Sequence, residues 1–522
     1  MNIRTFDKYL LLPISTIILA CILTFMQFYA RNGLWGDELA LAHNFTFKWT
    51  VLFNPLYGKQ VAPILFLLIE KCLFECANLF EALPDNWLRA YPLCCGMGTI
   101  ILYYPTILRL SNSRIIALFS LSLLAFAPEF VYYSSEIKQY ICELFFTVLL
   151  LFVYSYKNDS LKYTLIFCAT VLVGIFNSNV ICFALLPMGL YDGWQISRKY
   201  KLNFKTMFSD KETKLFCLRY SLCLLFLVVY YLLFLCNHPL KGFMNDWWKQ
   251  HFITAQNISS LIDWNLKIMY FDIKIKIINW LFVAGLISLL FIKNKFLFVF
   301  SVVLIGTHIV FSYFKLYPVS GRLILYWYSV TAVVFGNLLY QILKIIFYPL
   351  KKKYAEILIT LIGVLLIAAY WLHYYPKLPL SFHRSSERPI LMTISQKYKP
   401  NDLAVLESIG YGKYSRYYFQ NPYPFYHDSF FHSDDKELEI ETSVPLDKDL
   451  PEMSNKILNY SIWNEKLYKY NRLWVCVRTP NKKAVEHRLN KLIKQKQSGQ
   501  KVEKCDLISD MTLCLIKNKE QK

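Results

Sequence analysis

Apolar runs long enough to cross a bilayer recur along the first 376 of the 522 residues, and nothing constrains this chain more. A helical crossing needs about 20 apolar residues. Backbone inside hydrocarbon must satisfy its own hydrogen bonds, so repeated runs of that length specify a helical bundle. Composition agrees: 18% of residues are charged and 56% hydrophobic, where a soluble domain carries roughly 25% charge. The first run, residues 8–29, is too long for a cleaved signal and no small-residue cleavage site follows it, so it is expected to be retained.

The expected spans are 8–29, 89–108, 115–131, 139–156, 163–176, 179–192, 215–237, 274–292, 296–315, 322–344 and 354–375. That is about eleven, and thirteen at the outside. The formal charge of +21 fits an orientation signal rather than nucleic-acid binding. Residues 377–522 hold 25 basic and 18 acidic side chains, leaving 32 and 18 in the first 376. That membrane-part excess collects in short loops: Arg109 and Arg114, Lys157 and Lys162, the 198–214 run, Lys293 and Lys295, and Lys351-Lys352-Lys353. Short basic loops mark the cytoplasmic side. A cytoplasmic N-terminus puts all of them inside and puts 31–87, 132–138, 238–273, 316–321 and the tail outside. Segment 62–80 contains Glu70, Lys71 and Glu75, each costing about 2.5–3.5 kcal/mol at the centre of a crossing. It is expected as an interfacial amphipathic helix within the first outer loop.

Two domains are expected: 1–376 in the membrane and 377–522 as a small extracytoplasmic α/β domain. In the tail, 389–399 reads as a helix, Leu403–Glu407 and Leu473–Val477 as strands, 483–497 as a basic amphipathic helix and Thr512–Ile516 as a final strand. The aromatic and proline-rich stretch 409–428 reads as a loop. Of 14 cysteines, Cys476, Cys505 and Cys514 lie in the tail. They lack metal-ligand spacing, and one disulfide is compatible with an extracytoplasmic tail.

Parity gathers a polar set on the outer face. The acidic pair Asp37 and Glu38 follows the first span, with His43, Lys59 and Gln60 in the same loop. Glu136, Lys138 and Tyr140 follow the third span; His238, Asp246, Trp247, Trp248 and His251 lie in 238–273; Tyr317 and Arg322 flank the next short loop. Each residue type has a bland use too: solvated interface acids, snorkelling cations and an aromatic belt. Carboxylates, isolated cations and aromatics on one face also suit a site that takes a lipid phosphate and moves its head group.

Five ordered motifs carry a resemblance. They are Leu34-Trp35-Gly36-Asp37-Glu38, Gln60-Val61-Ala62-Pro63-Ile64-Leu65-Phe66, Leu88-Arg89-Ala90-Tyr91-Pro92, Tyr133-Ser134-Ser135-Glu136-Ile137-Lys138-Gln139-Tyr140 and Tyr317-Pro318-Val319-Ser320-Gly321-Arg322-Leu323. The chain resembles GT-C glycosyltransferases that use polyprenyl-phosphate sugars, similar to protein O-mannosyltransferases and the lipid A aminoarabinose transferase. Many members have a double proline where this chain has Ala62-Pro63.

The resemblance implies that Asp37 is a general base, supported by Glu38, and that a sugar moves from a polyprenyl-phosphate donor to a protein, lipid or glycan acceptor with inversion. Arg322 and Lys138 would hold the donor phosphate, while Arg89, Glu136, Tyr140, Gln60 and Tyr317 would shape the site. Some relatives place a divalent metal near the acid; the sequence assigns no ligands for one and implies no other cofactor. The expected location is a bacterial cytoplasmic membrane, multi-pass, with the tail outside. Rival classes are a flippase or transporter of lipid-linked sugars, which calls for inverted repeats and midplane charges, and a polysaccharide polymerase or ligase. A non-catalytic scaffold that binds partners through its tail is a third.

Overall fold

The computed structural model describes residues 11–30, 33–82, 84–201, 207, 209–270, 277–374, 388–397, 399, 402–406, 458, 461–462, 471–477, 479–497, 499–508 and 511–518. The 409–428 stretch lies outside them. The chain divides into two compact units: Met1–Ala30, Leu52–Pro55 and Val61–Phe382 form the first, and Arg31–Val51, Leu56–Gln60 and His383–Lys522 the second. The acidic pair thus belongs to the same unit as the tail.

In the first unit the helices are α1 (Leu11–Ala30), α3 (Ile64–Leu79), α4 (Pro84–Ser111), α5 (Arg114–Ala125), α6 (Pro128–Tyr133), α7 (Tyr140–Ser155), α8 (Leu161–Asn177), α9 (Ile181–Lys199) and α10 (Lys211–Tyr230). They continue with α11 (Lys241–Trp247), α12 (Ile258–Tyr270), α13 (Ile278–Ser288), α14 (Phe296–Tyr313), α15 (Tyr328–Ile346) and α16 (Lys352–Tyr374). Each of the eleven expected crossings overlaps a helix. By length and composition, six helical segments among the described residues can cross a membrane: Leu11–Ala30, Pro84–Ser111, Lys211–Leu235, Phe296–Tyr313, Gly321–Ile346 and Lys352–Leu372. Four shorter apolar helices, within α5, α7, α8 and the 278–291 region, accompany them.

Close backbone approach sets the packing. A Cβ at Gly96 of α4 would collide with the Ser134 side chain, and one at Gly336 of α15 would lie 2.7 Å from Ser120 Oγ and 2.9 Å from its backbone nitrogen. Small residues at such crossings let apolar helices share dispersion contact where no water-driven force operates. α4 stays helical through Pro92 and Pro105, as membrane helices do when neighbours satisfy the freed carbonyls. Segment 62–80 does form a helix, α3, but Glu70 and Lys71 are buried. Lys71 pairs with Glu75 and lies over the Phe74 ring. Pairing of that kind offsets the cost of charge away from water.

A buried ionic knot ties four helices. Asp192 of α9 accepts from Tyr154 Oη (2.7 Å), Lys157 Nζ (2.8 Å), Tyr220 Oη (3.0 Å) and Arg219 (3.5 Å). The Arg219 guanidinium also stacks 4.6 Å from the Tyr163 ring centre.

The second unit contains α2 (Gly36–Ala42) and, in its tail part, α17 (Arg388–Lys397), β1 (Asp402–Leu406), β2 (Arg472–Val477), α18 (Lys482–Lys496), β3 (Lys501–Ile508) and β4 (Met511–Lys517). The sheet order is β1-β2-β4-β3, with β1 and β2 parallel and the other pairs antiparallel. Strand alternation sorts the core onto two faces. Val405, Leu473, Val475 and Ile516 pack with Val485, Leu489 and Leu492 of α18. Ala404, Trp474, Cys476 and Leu513 pack with Ile390 and Ile394 of α17. Arg472 clamps the buried Asp402 through two nitrogens at 2.9 and 2.6 Å, and Trp474 Nε1 donates to it at 3.0 Å. Cys505 and Cys514, opposite each other on β3 and β4, form a disulfide. β3 is the strand that sequence patterning misses. It is a charged edge strand whose exposed residues break the apolar alternation.

Candidate active site

The acidic pair opens α2. Gly33 takes a positive φ of 78°, a conformation glycine adopts without strain, and Trp35 is extended as the N-cap residue. Its backbone N–H donates to Glu38 Oε2 at 3.3 Å. That reciprocal bond satisfies one of the helix's orphan donors, and both acids lie in the first turn, where the helix dipole favours negative charge. Glu38 is fully buried and Asp37 partly exposed. The two carboxylates therefore differ in place: Glu38 turns inward as a cap, and Asp37 keeps access to the surface.

Asn44, buried, clips the following turn to α2. Its Nδ2 donates to the Ala40 carbonyl at 2.9 Å and to Tyr57 O at 3.2 Å, while its Oδ1 accepts from Tyr57 N at 2.7 Å. His43 packs edge-on to Phe47 at 4.9 Å and lies 5.1 Å from the Tyr57 ring. Gln60 donates to Gly58 O at 3.2 Å. No sequence signal marks Asn44; its partner lies 13 residues away.

In the first unit, Tyr132 to Gln139 form a tight connection between α6 and α7. Ser134 Oγ donates to Phe130 O at 2.7 Å, Ser135 Oγ to Tyr132 O at 3.1 Å, and Lys138 N to Glu136 O at 2.7 Å. Glu136, Lys138 and Tyr140 are buried, and Tyr133 sits edge-on to Tyr140 at 5.8 Å. The Arg322 guanidinium lies 5.6 Å from the ring centres of both Tyr140 and Trp248. Each such cation–ring contact adds about 0.5–1 kcal/mol at a surface site. Arg89 is fully buried in α4 together with Asp85.

The loop carrying Arg322 is fixed from behind by residues the motifs did not flag. His308 of α14 is buried, with Nε2 3.1 Å from Pro318 O and Nδ1 3.1 Å from Trp327 Nε1 and 2.6 Å from Tyr326 Oη. An indole nitrogen only donates, so Nδ1 is the acceptor and the proton sits on Nε2. Val319 N donates to His251 O at 2.9 Å, and Ile253 N to Ser312 Oγ at 2.9 Å. Tyr317 lies 5.3 Å from the His308 ring. Burial pushes its hydroxyl above the ordinary phenol range, with Glu143 adding to the effect. Burial lowers the pKa of His238 and His251. Beside this framework an apolar cleft of about 300 Å³ is lined by Ile253, Ile258, Ile309, Val310, Tyr313 and Phe314.

The expected site residues thus fall in both units. Asp37, Glu38 and Gln60 belong to the second; Arg89, Glu136, Lys138, Tyr140, Tyr317 and Arg322 belong to the first. Of these, Arg322 and Tyr140 are brought into direct contact. Among the described residues no group of three or more His, Cys, Asp and Glu is placed to hold a metal ion.

No family model matches this chain, and neither does any curated protein. Solved structures do. ArnT from Cupriavidus metallidurans in the apo state is 14% identical, with a TM-score of 0.52 over 96% of this chain and 97% of that one. The same protein bound to undecaprenyl phosphate is 11% identical, with a TM-score of 0.49 over 96% and 97%. The archaeal oligosaccharyltransferase AglB from Archaeoglobus fulgidus, in complex with an inhibitory peptide and a dolichol-phosphate, is 12% identical, with a TM-score of 0.48 over 94% of this chain and 72% of that one. The likeness to apo ArnT is one of fold and runs nearly end to end.

Proposed function

We propose that this protein is an integral membrane glycosyltransferase that moves one sugar from a polyprenyl-phosphate donor to an acceptor on the extracytoplasmic face. One observation carries the reading. In a chain whose fold runs alongside that of ArnT, the segment after the first apolar helix places Asp37, partly exposed, in the first turn of α2 beside the buried capping residue Glu38.

Asp37 takes the proton from an acceptor hydroxyl or amine as that atom attacks the anomeric carbon. The bond from the anomeric carbon to the phosphate oxygen breaks on the opposite face, so configuration inverts. The departing lipid phosphate is already a stable anion and needs no general acid. Fixed cations on its oxygens suffice: Arg322 provides a planar fork and Lys138 a point charge. The Tyr140 and Trp248 rings contact the guanidinium, and Arg89, Glu136, Gln60 and Tyr317 are assigned to shaping the site. The apolar cleft beside the Arg322 loop suits part of a lipid chain.

The basic short loops support a cytoplasmic N-terminus in a bacterial inner membrane. The Cys505–Cys514 disulfide supports a tail in an oxidising compartment, and residues 377–522 are read as the extracytoplasmic domain. The test is transfer by membrane vesicles containing Asp37→Asn, with folding checked by thermal unfolding. Loss of transfer by two or more orders of magnitude, in the range of ~10²–10⁴ for a general base, is expected. Full activity in a folded variant refutes the assignment.

A further inference from the structure

Glu143 stands one turn into α7 and is 1% exposed. Neither carboxylate oxygen has a hydrogen-bond partner among the described residues. The Asn179 backbone approaches it without meeting hydrogen-bond geometry. The side chains within its electrostatic reach include Tyr317, Tyr326, Tyr230 and Cys182, none of them a cation. Tyr326 already serves His308, and Tyr230 donates to Asn179.

Gln139, four residues earlier at the start of the same helix, is also buried, and its side-chain oxygen has no hydrogen-bond partner among the described residues. Native interiors rarely leave such acceptors unmet; each one costs about 1–3 kcal/mol and more when charged. Two stacked acceptors without donors mark a place where a ligand supplies O–H or N–H groups. This place adjoins the proposed phosphate clamp. Lys138 directly precedes Gln139, and Arg322 lies over Tyr140.

We infer that Glu143 and Gln139 form the subsite for the donor's sugar ring, accepting hydrogen bonds from its hydroxyl or amino groups. The inference rests on the donor being a polyprenyl-phosphate sugar and adds where its sugar sits. A carboxylate accepting from two neighbouring hydroxyls gives direction as well as affinity, and the rings of Tyr317 and Tyr140 supply apolar faces for the sugar's C–H groups. Glu143 is a binding residue here; it takes no proton in the reaction.

The full chain is reconstituted in nanodiscs and titrated with two probes, undecaprenyl phosphate alone and a panel of synthetic undecaprenyl-phosphoryl hexoses and aminopentoses. The wild type should bind one or more panel members more tightly than the bare carrier. Glu143→Gln should weaken that preferred donor by about tenfold or more, as expected when one of two buried acceptor oxygens is lost, while leaving the bare carrier within about twofold. Glu143→Asp, which keeps the carboxyl group but retracts it by one methylene, is the second variant if Glu143→Gln fails to fold, and should show the same selective loss. Equal weakening of both probes, or no weakening of either, overturns the subsite. A folded wild type that binds neither probe overturns the donor class itself.

Discussion

His308 Nε2 donates to the Pro318 carbonyl at 3.1 Å, so a buried imidazole in α14 holds the loop that ends in Arg322. The ring also stacks on Phe183 at 5.2 Å. His308→Phe keeps that stacking and removes the bonds to Pro318, Tyr326 and Trp327. Transfer is expected to fall by about tenfold or more, since small displacements of a positioning group cost that much. His308→Gln, which can still donate to the carbonyl, should recover part of the loss. Steady-state transfer by the two folded variants checks this.

The Arg322 guanidinium lies over the rings of both Tyr140 and Trp248. Arg322→Lys keeps the charge but loses the planar fork and both ring contacts, so apparent donor affinity should weaken by about tenfold. Arg322→Ala should cost about 10²–10³ in turnover, the range seen when one stabilising donor is removed. Donor titration of both variants separates affinity from turnover.

Asp192 is buried with Arg219, Lys157, Tyr154 and Tyr220 around it. Removing one member of a buried ion pair strands the other, at about 3–5 kcal/mol. Asp192→Ala should therefore lower the unfolding temperature clearly, and Asp192→Asn should lower it less. Thermal unfolding in detergent reads both.

Burial holds the pKa of His238 and His251 below the ordinary value, which is about 6.5 for an unfolded chain. Below that pH the unfolded state binds more protons than the folded one, so stability falls as pH falls. Their contribution is complete above about pH 6.5 and is lost through the acidic window below it. Unfolding temperatures at pH 7.5 and 5.5 should differ in that direction, and His251→Gln should narrow the difference.

Much of the fold is legible because it rests on local pattern. Apolar runs placed α1, α4, α14 and α16, and the short apolar run Leu473–Val477 placed a central strand. What escaped depends on distant partners or on missing local cues. β3 reads as polar because it is a charged edge. Glu38 sits at the spacing of a capping box, but the N-cap residue is Trp35 rather than Ser or Thr, so the usual signature is absent. Asn44, His308 and the Asp192–Arg219 pair act across 13, 10 and 27 residues of sequence. Asp37, Lys138 and Arg322 were legible as residue types in ordered motifs. The two ring contacts of Arg322 arise from packing between segments distant in sequence, and the inward turn of Glu38 from a capping bond to Trp35 that no Ser or Thr announces.

If Asp37 is the base in transfer from a polyprenyl-phosphate sugar, losing Asp37 and losing the whole protein block the same step. Mass spectrometry of membrane lipids and glycoconjugates, comparing wild type with a deletion strain and an Asp37→Asn strain, tests it most directly. Both altered strains should accumulate the same polyprenyl-phosphate sugar and lack the same glycan modification. Wild-type lipids and glycans in a strain that makes folded Asp37→Asn protein would rule out Asp37 as the base.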